Sequence, residues 1–188
     1  MKTMHKVHLI KATIEAYPII QNMARFYGYD MSRSCGYIND WDWSFPENGL
    51  YEGCNVKPYF EDQDRYAFII KVDNELAGFA LINKCATKPD TDWNMGEFFI
   101  VAKFQGKGIG KQAAHQVWQQ FPGNWEISVI PENTPALNFW RKAISSFTLG
   151  KYVEVFQPIY PDKHQPNRYI LSFETNNADH MILNPIIK

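Results

Sequence analysis

The residues with the clearest chemical potential form a glycine-rich segment, Gln105 to Gly110, in the second half of the chain. A hydrophobic run, Phe98 to Ala102, precedes it, and an amphipathic run, Gly108 to Phe121, follows it. Glycines between a strand and a helix let the backbone approach a ligand, and the first N–H groups of the helix then point at that ligand. The helix dipole adds partial positive charge, and Lys107 and Lys111 lie nearby. The segment therefore predicts a cradle for a diphosphate.

The spacing within this segment distinguishes among the phosphate-binding motifs. The P-loop pattern GxxxxGK[ST] is absent, and the three alternating glycines do not fit the dinucleotide pattern GxGxxG. The pattern [RQ]-x-x-G-x-G does fit, with Gln105, Gly108 and Gly110 at its defined positions. A glycine-rich turn that only lets a helix pack on a strand is the alternative interpretation. Agreement among the strand, the glycines and the amphipathic helix favours ligand binding.

With these motifs the chain resembles the GNAT superfamily of acyl-CoA N-acyltransferases. The strand-loop-helix signature of that family is similar to FFIVAKFQGKGIGKQA, which begins at Phe98. Its second signature, an Asn-x-x-Ala followed by an aromatic pair and basic residues, resembles NTPALNFWRKAI, from Asn133 to Ile144. The spacing of the expected strands and helices from residue 6 to about 175 also suits the family. Within the family, the chain looks like a group of bacterial predicted acetyltransferases.

The resemblance implies that acetyl-CoA is the acyl donor and that the two motifs bind it. Main-chain groups around Ile100–Ala102 would hold the pantetheine arm like an extra strand, and the amides of Gln105–Gly110 would hold the pyrophosphate. Asn133 and the Phe139–Trp140 face would lie beside the arm, and Arg141 or Lys142 would contact the nucleotide phosphates. The alternatives are that Phe139 belongs to the core and that the two basic side chains are solvated. The expected cofactor-binding residues are Phe99, Ile100, Val101, Ala102, Gln105, Gly106, Lys107, Gly108, Ile109, Gly110, Lys111, Asn133, Phe139, Trp140 and Lys142.

Acetylation of an amine needs a neutral amine, relief of charge on the carbonyl oxygen and a proton for the leaving thiolate. The resemblance implies direct attack in a ternary complex, with a carboxylate that removes the amine proton directly or through water. Glu97 is the nearest acid on the donor strand and the first candidate. Alternation puts Glu97 and Phe99 on one face and Ile100 on the other, so a position facing away from the cleft is the open alternative. Glu126, on the next strand, is the second candidate.

The resemblance also implies a general acid, which in the family is often a tyrosine of the final helix. Trp140 occupies that position here, and an indole N–H is no acid at working pH. Either the thiolate leaves without a protein acid, or Tyr152 protonates it, or catalysis is weak; positioning still contributes to the rate. The expected catalytic residues are therefore Glu97 and Tyr152. A non-catalytic acyl-CoA-binding or sensor module is the alternative to an N-acetyltransferase.

The charges of the chain are distributed in two opposed regions, although the net charge is −1. Residues 101–151, with the expected CoA loop, hold six bases against two acids, whereas residues 30–64 hold eight acids against two bases. In the family the second region covers the acceptor side, and its acids and aromatic rings suit a cationic small-molecule or peptide amine. An ordinary surface loop is the alternative. The side chains concerned are Asp30, Asp40, Asp42, Glu47, Glu52, Glu61, Asp62 and Asp64, with Trp41, Trp43, Phe45, Tyr51 and Tyr59.

The elements that position these residues follow from periodicity and turn residues. The expected strands are residues 7–12, 65–72, 76–83, 92–102, 125–130, 151–159 and 168–175, and the expected helices are residues 14–29, 108–121 and 135–146. Thr13 and Thr134 are the expected N-caps. Early hairpins and later helical connections predict an α+β fold of mixed layers, in which helices flank a central twisted mixed sheet of about six to seven strands.

Composition limits the classes of protein that remain. At 188 residues and 45% hydrophobic, the chain is expected to form one domain, with a core of residues 6–175 and an apolar tail of residues 176–188. The near-neutral net charge argues against a protein that binds the nucleic-acid backbone. No apolar run suits a membrane span or a secretory signal. Three widely spaced cysteines argue for a reducing cytoplasm, and five histidines without paired spacing argue against a metal site. We expect a monomer or a homodimer.

Overall fold

The computed structural model describes residues 6–38, 44–159 and 167–175. Its strands are β1 (Val7–Lys11), β2 (Tyr66–Val72), β3 (Glu75–Asn83), β4 (Trp93–Ile100), β5 (Gly123–Val129), β6 (Val153–Pro158) and β7 (Asn167–Thr175). Its helices are α1 (Tyr17–Cys35), α2 (Pro58–Glu61), α3 (Ile109–Gln120) and α4 (Thr134–Thr148). The strands form one sheet in the order β1-β2-β3-β4-β5-β7-β6, antiparallel except for the β4–β5 pair. The expected α+β fold with a mixed sheet is confirmed.

Helices cover both faces of the sheet because its central strands carry apolar side chains on both faces. Along β3, Ala80 and Ile82 pack in the cluster with α3 and α4, whereas Phe79 and Leu81 pack in the cluster with α1 and α2. Every residue from Ala77 to Asn83 is buried. Burial of each large apolar side chain stabilises the fold by about 1.5–3 kcal/mol. The sheet therefore divides the molecule into an α3/α4 side and an α1/α2 side.

The two central strands β4 and β5 separate soon after they begin. Their parallel pairing joins only Trp93 with Trp125 and Asn94 with Glu126. In contrast, β4 stays paired with β3 as far as Ile100. Beyond Asn94, no strand of the described part of the chain pairs with the other edge of β4. A wedge therefore opens between β4 and β5.

The hydrogen-bond ladder decides which backbone groups face this wedge. The N–H of Val101 donates to the Ala77 carbonyl over 2.8 Å, on the β3 side. In an antiparallel ladder alternate residues bond to the same neighbour, so Phe99 also bonds to β3. The N–H and C=O groups of Phe98 and Ile100 consequently point away from β3 into the wedge, where the Ile100 carbonyl accepts a hydrogen bond from Gln105 and the Ile100 N–H is available to an extended ligand.

Helix α1 starts later and ends later than the sequence suggests. A single 3₁₀ turn, Ile14–Ala16, precedes it, and the Thr13 hydroxyl donates to the Glu15 carboxylate instead of capping a helix. Thr13 is thus the N-cap residue of this 3₁₀ turn, as expected, but its side chain makes no capping hydrogen bond. The helix continues six residues past residue 29, to the buried Cys35, because its last turns still pack on the protein. Every other expected strand or helix lies within two residues of its observed bounds.

Asn133 caps helix α4, and the expected Thr134 cap is wrong. The Asn133 Oδ1 accepts a hydrogen bond from the Ala136 N–H over 3.2 Å, and Thr134 is already helical. Asparagine caps at least as well as threonine, and a proline in the first turn has no N–H to satisfy. The Asn133 amide also donates to Met31 Sδ over 3.4 Å. The cap thus ties α4 to α1.

Candidate active site

A cavity of about 700 Å³ lies between β4, the loop that follows it and α4. Phe98 and Ile100, whose backbone groups face the wedge, form one wall, so the cavity runs along the wedge. Its volume is in the range of sites that bind cofactors and small substrates. The full lining consists of Phe98, Ile100, Gln105, Gly106, Gly108, Gly110, Lys111, Pro135, Ala136, Asn138, Phe139, Lys142 and Ala143.

The glycine-rich loop forms the end of this cavity. Gly106 and Gly108 have φ angles of 71° and 80°, a conformation that side chains rarely adopt, and a Cβ at either position would meet nothing within 4 Å. Gly108 is the N-cap of α3 and offers no side chain to its N–H groups. Those N–H groups and the positive end of the helix dipole remain available to an anion. The expected diphosphate cradle therefore has a matching geometry.

Gln105 connects the loop to the end of β4. Its Nε2 donates a hydrogen bond to the Ile100 carbonyl over 2.7 Å. This carbonyl is one of the groups that the β4–β3 ladder directs away from β3. Gly110 fits closely beneath the loop, since a Cβ there would approach the Phe139 ring at 3.2 Å and Ile100 at 3.3 Å. The pattern of Gln105 and Gly110 thus fixes where α3 begins relative to β4.

Some of the basic side chains near the cradle line the cavity, whereas others bond to protein groups outside it. Lys111 and Lys142 line the cavity. Arg141, the alternative to Lys142, instead pairs with Glu154, with its Nε 2.8 Å from a carboxylate oxygen. Lys107 donates to the Lys103 carbonyl and lies outside the lining. Lys111 and Lys142 are therefore the cations positioned to neutralise a bound anion.

Several expected cofactor residues lie outside the lining for structural reasons. Phe99 faces the α1/α2 side, where it packs with Phe79. Ile109 and Trp140 are core residues, with 1% and 6% of their surface exposed. The Trp140 ring packs edge-on against Phe98 and so supports the cavity wall from behind. The other expected cofactor-binding residues that lie outside the lining are Val101, Ala102, Lys107 and Asn133.

Glu97 lies on the opposite face of β4 from the cavity. It follows the alternation of the strand, and its carboxyl is close enough to the hydroxyl of Tyr27 on α1 for that hydroxyl to lower the pKa of Glu97. The Tyr27 ring is wedged edge-on between Phe79 and Phe99, with both centroids at 6.2 Å. Burial raises the pKa of Glu97 to about 7, and the Tyr27 hydrogen bond lowers it only in part. A carboxyl with this pKa can accept and release a proton at neutral pH.

The other two catalytic candidates are engaged elsewhere. Glu126 has 1% of its surface exposed, and its carboxylate accepts hydrogen bonds from the Thr87 N–H at 3.0 and 3.1 Å and from the Thr87 hydroxyl at 2.7 Å. It therefore anchors the β3–β4 connection. Tyr152 packs on the α3/α4 core just before β6, near Arg141, and is not among the described residues that line the cavity.

The acidic region has less free negative charge than its sequence suggests. Three of its acids form exposed ion pairs, which contribute at most about 1 kcal/mol each. Tyr59 is buried and accepts a hydrogen bond from Asn83 over 2.6 Å, and Phe45 packs edge-on against Tyr51. The ion pairs are Glu61–Lys57 (3.3 Å), Asp62–Arg65 (2.9 Å) and Asp64–Lys84 (2.8 Å). Asp40, Trp41, Asp42 and Trp43 lie outside the described residues.

The family can now be assigned. A family model described as "Acetyltransferase (GNAT) family" matches residues 30–144, which include β4, the glycine-rich loop and most of α4. The chain belongs to the GNAT acetyltransferase family. As a member it is an acyltransferase, and acetyl-CoA is its co-substrate. The exposed amides, Lys111 and Lys142 of the cradle fit the anionic part of such a coenzyme.

Solved structures of other acetyltransferases share this GNAT fold. One from Thermus thermophilus is 16% identical, with a TM-score of 0.60 over 91% of this chain and 99% of that one. RimJ from Mycobacterium smegmatis, in complex with CoA-disulfide, is 16% identical, with a TM-score of 0.58 over 94% and 88%. Mutant forms of the spermidine/spermine N-acetyltransferase SpeG from Vibrio cholerae are 11% identical, with a TM-score of 0.57 over 94% and 98%. Identities this low establish the fold alone, and no curated protein matches the sequence.

Two further findings concern the described part of this GNAT chain. None of its helices, including the 19-residue α1, combines the length and the apolar content that crossing a bilayer requires. In the same residues, no three histidine, cysteine, aspartate or glutamate side chains gather into a group that could hold a metal ion.

Replacement of Tyr27 by phenylalanine should move the pH dependence of this acetyltransferase upward. The Tyr27 hydroxyl stabilises the ionised form of Glu97, so its loss raises the pKa of Glu97 by roughly one unit. The midpoint of kcat/KM against pH should shift by the same amount. The matched control is Tyr29→Phe, because Tyr29 is an exposed tyrosine of the same helix. An unshifted profile in Tyr27→Phe would contradict an effect of the Tyr27 hydroxyl on the carboxyl of Glu97.

Proposed function

We propose that this GNAT acetyltransferase transfers the acetyl group of acetyl-CoA to a primary amine by direct attack in a ternary complex, with Glu97 as the general base. The environment of Glu97 is the observation that carries the proposal. Its carboxyl, held by Tyr27, has a pKa of about 7. Near neutral pH a large share of the molecules therefore has a carboxylate ready to accept a proton.

The donor side of the proposal uses the wedge and the cavity beside it. Acetyl-CoA supplies the acetyl thioester. The backbone groups of Phe98 and Ile100 bind the pantetheine arm as a strand would. The amides after Gly108 bind the pyrophosphate, and Lys111 and Lys142 offset its charge. The hydrogen bonds of the ladder favour Phe98 and Ile100 over Val101 for this task, because the Val101 N–H is bonded to β3.

The acceptor side of the proposal is the α1/α2 side of β4. Glu97 and Phe98 are consecutive residues, so their side chains point to opposite faces of the strand. An amine that approaches from the α1/α2 side meets Glu97, while the donor lies along the wedge on the other side. The two substrates meet where β4 and β5 separate. This arrangement resolves the difficulty of a base that faces away from the cofactor, because the base has to face the acceptor.

The leaving thiolate needs no protein acid in this proposal. The indole of Trp140 is buried in the core, and Tyr152 lies beside Arg141. A thiol with a pKa near 8.5 leaves as a thiolate much more readily than an alkoxide would. Tyr152 as the general acid therefore stays a prediction without a supporting contact.

Release of free CoA thiol in the presence of an amine panel tests this function. The panel should contain polyamines, amino acids, aminoglycosides and peptides, with mass spectrometry of the products. Amine-dependent thiol release with an N-acetylated product is the expected result. Tight acetyl-CoA binding without thiol release from any amine would overturn the proposal and favour the non-catalytic acyl-CoA-binding alternative.

A further inference from the structure

A second cavity, of about 510 Å³, lies on the α1/α2 side of the sheet. One of its walls is helix α1, and the other is the segment of residues 48–55. Most of the side chains that line it are polar. They include Gln21, Arg25, Asn48, Glu52, Cys54 and Asn55.

The segment of residues 48–55, which forms the second wall of this cavity, is held against α1 by hydrogen bonds and a close backbone contact. Gln21 Nε2 donates to the Glu52 carbonyl over 2.8 Å, and Arg25 Nη1 donates to the Tyr51 carbonyl over 2.8 Å. Gly53 packs so closely on the helix that a Cβ there would lie 2.7 Å from the backbone of Ala24. Two side-chain hydrogen bonds and a close backbone contact therefore shape the cavity before any ligand arrives.

The cavity and Glu97 lie on the same side of the sheet. Cys54 lines the cavity and also packs on the apolar cluster that contains Phe99, whose side chain shares a face of β4 with Glu97. Cys54 belongs to the cavity wall and lies close enough to Glu97 for their charges to interact; burial, with a smaller effect of Glu97, raises the pKa of the thiol to about 12. A ligand in the cavity would thus lie on the side of β4 that carries Glu97, which is the side that the acceptor must use.

The Arg25 guanidinium is the group of the cavity that can bind an anionic group of a ligand. Arg25 uses Nη1 for the Tyr51 carbonyl, and the remaining N–H groups of its guanidinium keep the fork geometry that suits a carboxylate. The positive charge of this guanidinium disfavours a molecule that carries only ammonium groups. Glu52 provides one acid at the wall, and Gln21 and Asn55 provide neutral hydrogen-bonding groups.

We propose that this cavity binds the acceptor and that the acceptor is an amine that also carries a carboxylate, such as an amino acid or a short peptide, with Arg25 as the carboxylate-binding residue. The proposal rests on the acetyltransferase function proposed above and narrows its substrate class. It departs from the cationic amine expected from the acids of residues 30–64, since several of those acids are paired on the surface.

Matched pairs of amines that differ only in the carboxylate test the proposal. L-Lysine should be acetylated with a kcat/KM at least tenfold higher than cadaverine, and L-ornithine at least tenfold higher than putrescine. Arg25→Gln should raise KM for the two amino acids by roughly 10- to 100-fold, the usual loss for a charge-assisted hydrogen bond, and should not raise KM for the diamines, because the variant loses the positive charge that disfavours them. Lys57→Gln is the matched control, because it removes a positive charge from an exposed side chain outside the cavity.

Two comparisons make the outcome decisive. Gln21→Met removes the parallel hydrogen bond to the same segment without changing charge, so equal loss of discrimination in Gln21→Met and Arg25→Gln would overturn the assignment of Arg25. Equal acetylation of L-lysine and cadaverine would overturn the substrate class while the acetyltransferase function stands. Calorimetric binding of L-lysine that depends on Arg25, without thiol release, would support the cavity and contradict the proposed function.

Discussion

Replacement of Glu97 by glutamine is expected to lower kcat by roughly 10²- to 10⁴-fold, the usual contribution of a general base. Glutamine retains the size of the side chain and an oxygen that can accept the Tyr27 hydrogen bond, but it accepts no proton. Affinity for acetyl-CoA should be unchanged, because Glu97 faces away from the cofactor cavity. Thiol release at saturating substrates and calorimetric titration with acetyl-CoA measure the two quantities. Glu61→Gln, at an exposed ion pair, is the matched control.

The pH profile distinguishes loss of a base from a general disturbance of the site. Because burial raises the pKa of Glu97 to about 7, the wild-type kcat/KM should rise with pH through about 7 as the carboxyl loses its proton. The residual activity of Glu97→Gln should lack this step. A wild-type kcat in Glu97→Gln, or an unchanged pH profile, would contradict the assignment of the base.

Stability gives a second and independent readout of the same residue. The pKa of Glu97 is raised from 4.5 to about 7 in the folded protein, so the folded state binds the proton more tightly than the unfolded state does. The contribution of Glu97 to the stability is therefore greatest below pH 4.5 and is lost as the pH rises through 7, by roughly 3 kcal/mol in total. Glu97→Gln should remove this loss. The variant should have a higher free energy of unfolding than the wild type at pH 8 but not at pH 4, as measured by urea unfolding.

Measurements of activity and of stability in the same variants distinguish a functional carboxyl from a structural one. Glu126 is buried, and its carboxylate accepts three hydrogen bonds from Thr87. Glu126→Gln replaces one acceptor oxygen with a donor and should destabilise the protein at pH 8. Opposite signs of the stability change at residues 97 and 126 would be the signature of a carboxyl kept in an unfavourable environment for its chemistry.

The features that the sequence predicts well are local. The cradle lies within six consecutive residues, and the alternation of β4 correctly separates Glu97 from Ile100, because a strand has a strict period of two. Phe98 was within reach of the same reasoning, since it alternates with Ile100. Helical spacing from Phe139 and Lys142 also leads to Asn138, a cavity residue that the motif alone does not indicate.

The features that the sequence does not predict depend on contacts between distant segments. Nothing in the chain links Tyr27 to Glu97, 70 residues later, until α1 packs on β4. The same holds for Asp64, which pairs with Lys84 across the β2–β3 hairpin, and for Arg141, which pairs with Glu154 rather than with a phosphate. A charge count over residues 30–64 treats each acid as free, so it overstated the negative charge available to an acceptor.

Gly108→Asp is expected to weaken acetyl-CoA binding about 100-fold without unfolding the protein. A Cβ at Gly108 meets nothing within 4 Å, and aspartate is a favourable N-cap for α3, so the fold should tolerate the side chain apart from modest strain at a φ of 80°. The new carboxylate lies in the proposed pyrophosphate cradle. Two unit charges about 5 Å apart at an effective dielectric constant of about 20 repel by roughly 3 kcal/mol, or about 100-fold in affinity.

Gly108→Asn isolates this electrostatic effect from the steric one. Asparagine has the size of aspartate, adopts the left-handed conformation as readily and caps a helix as well, but it has no charge. Its affinity for acetyl-CoA should lie within a few-fold of the wild type, and the melting temperatures of the two variants should be similar. Equal affinities of the Asp and Asn variants would show that no phosphate lies against the N-terminus of α3, and the cradle would then be only a turn that lets the helix pack on β4.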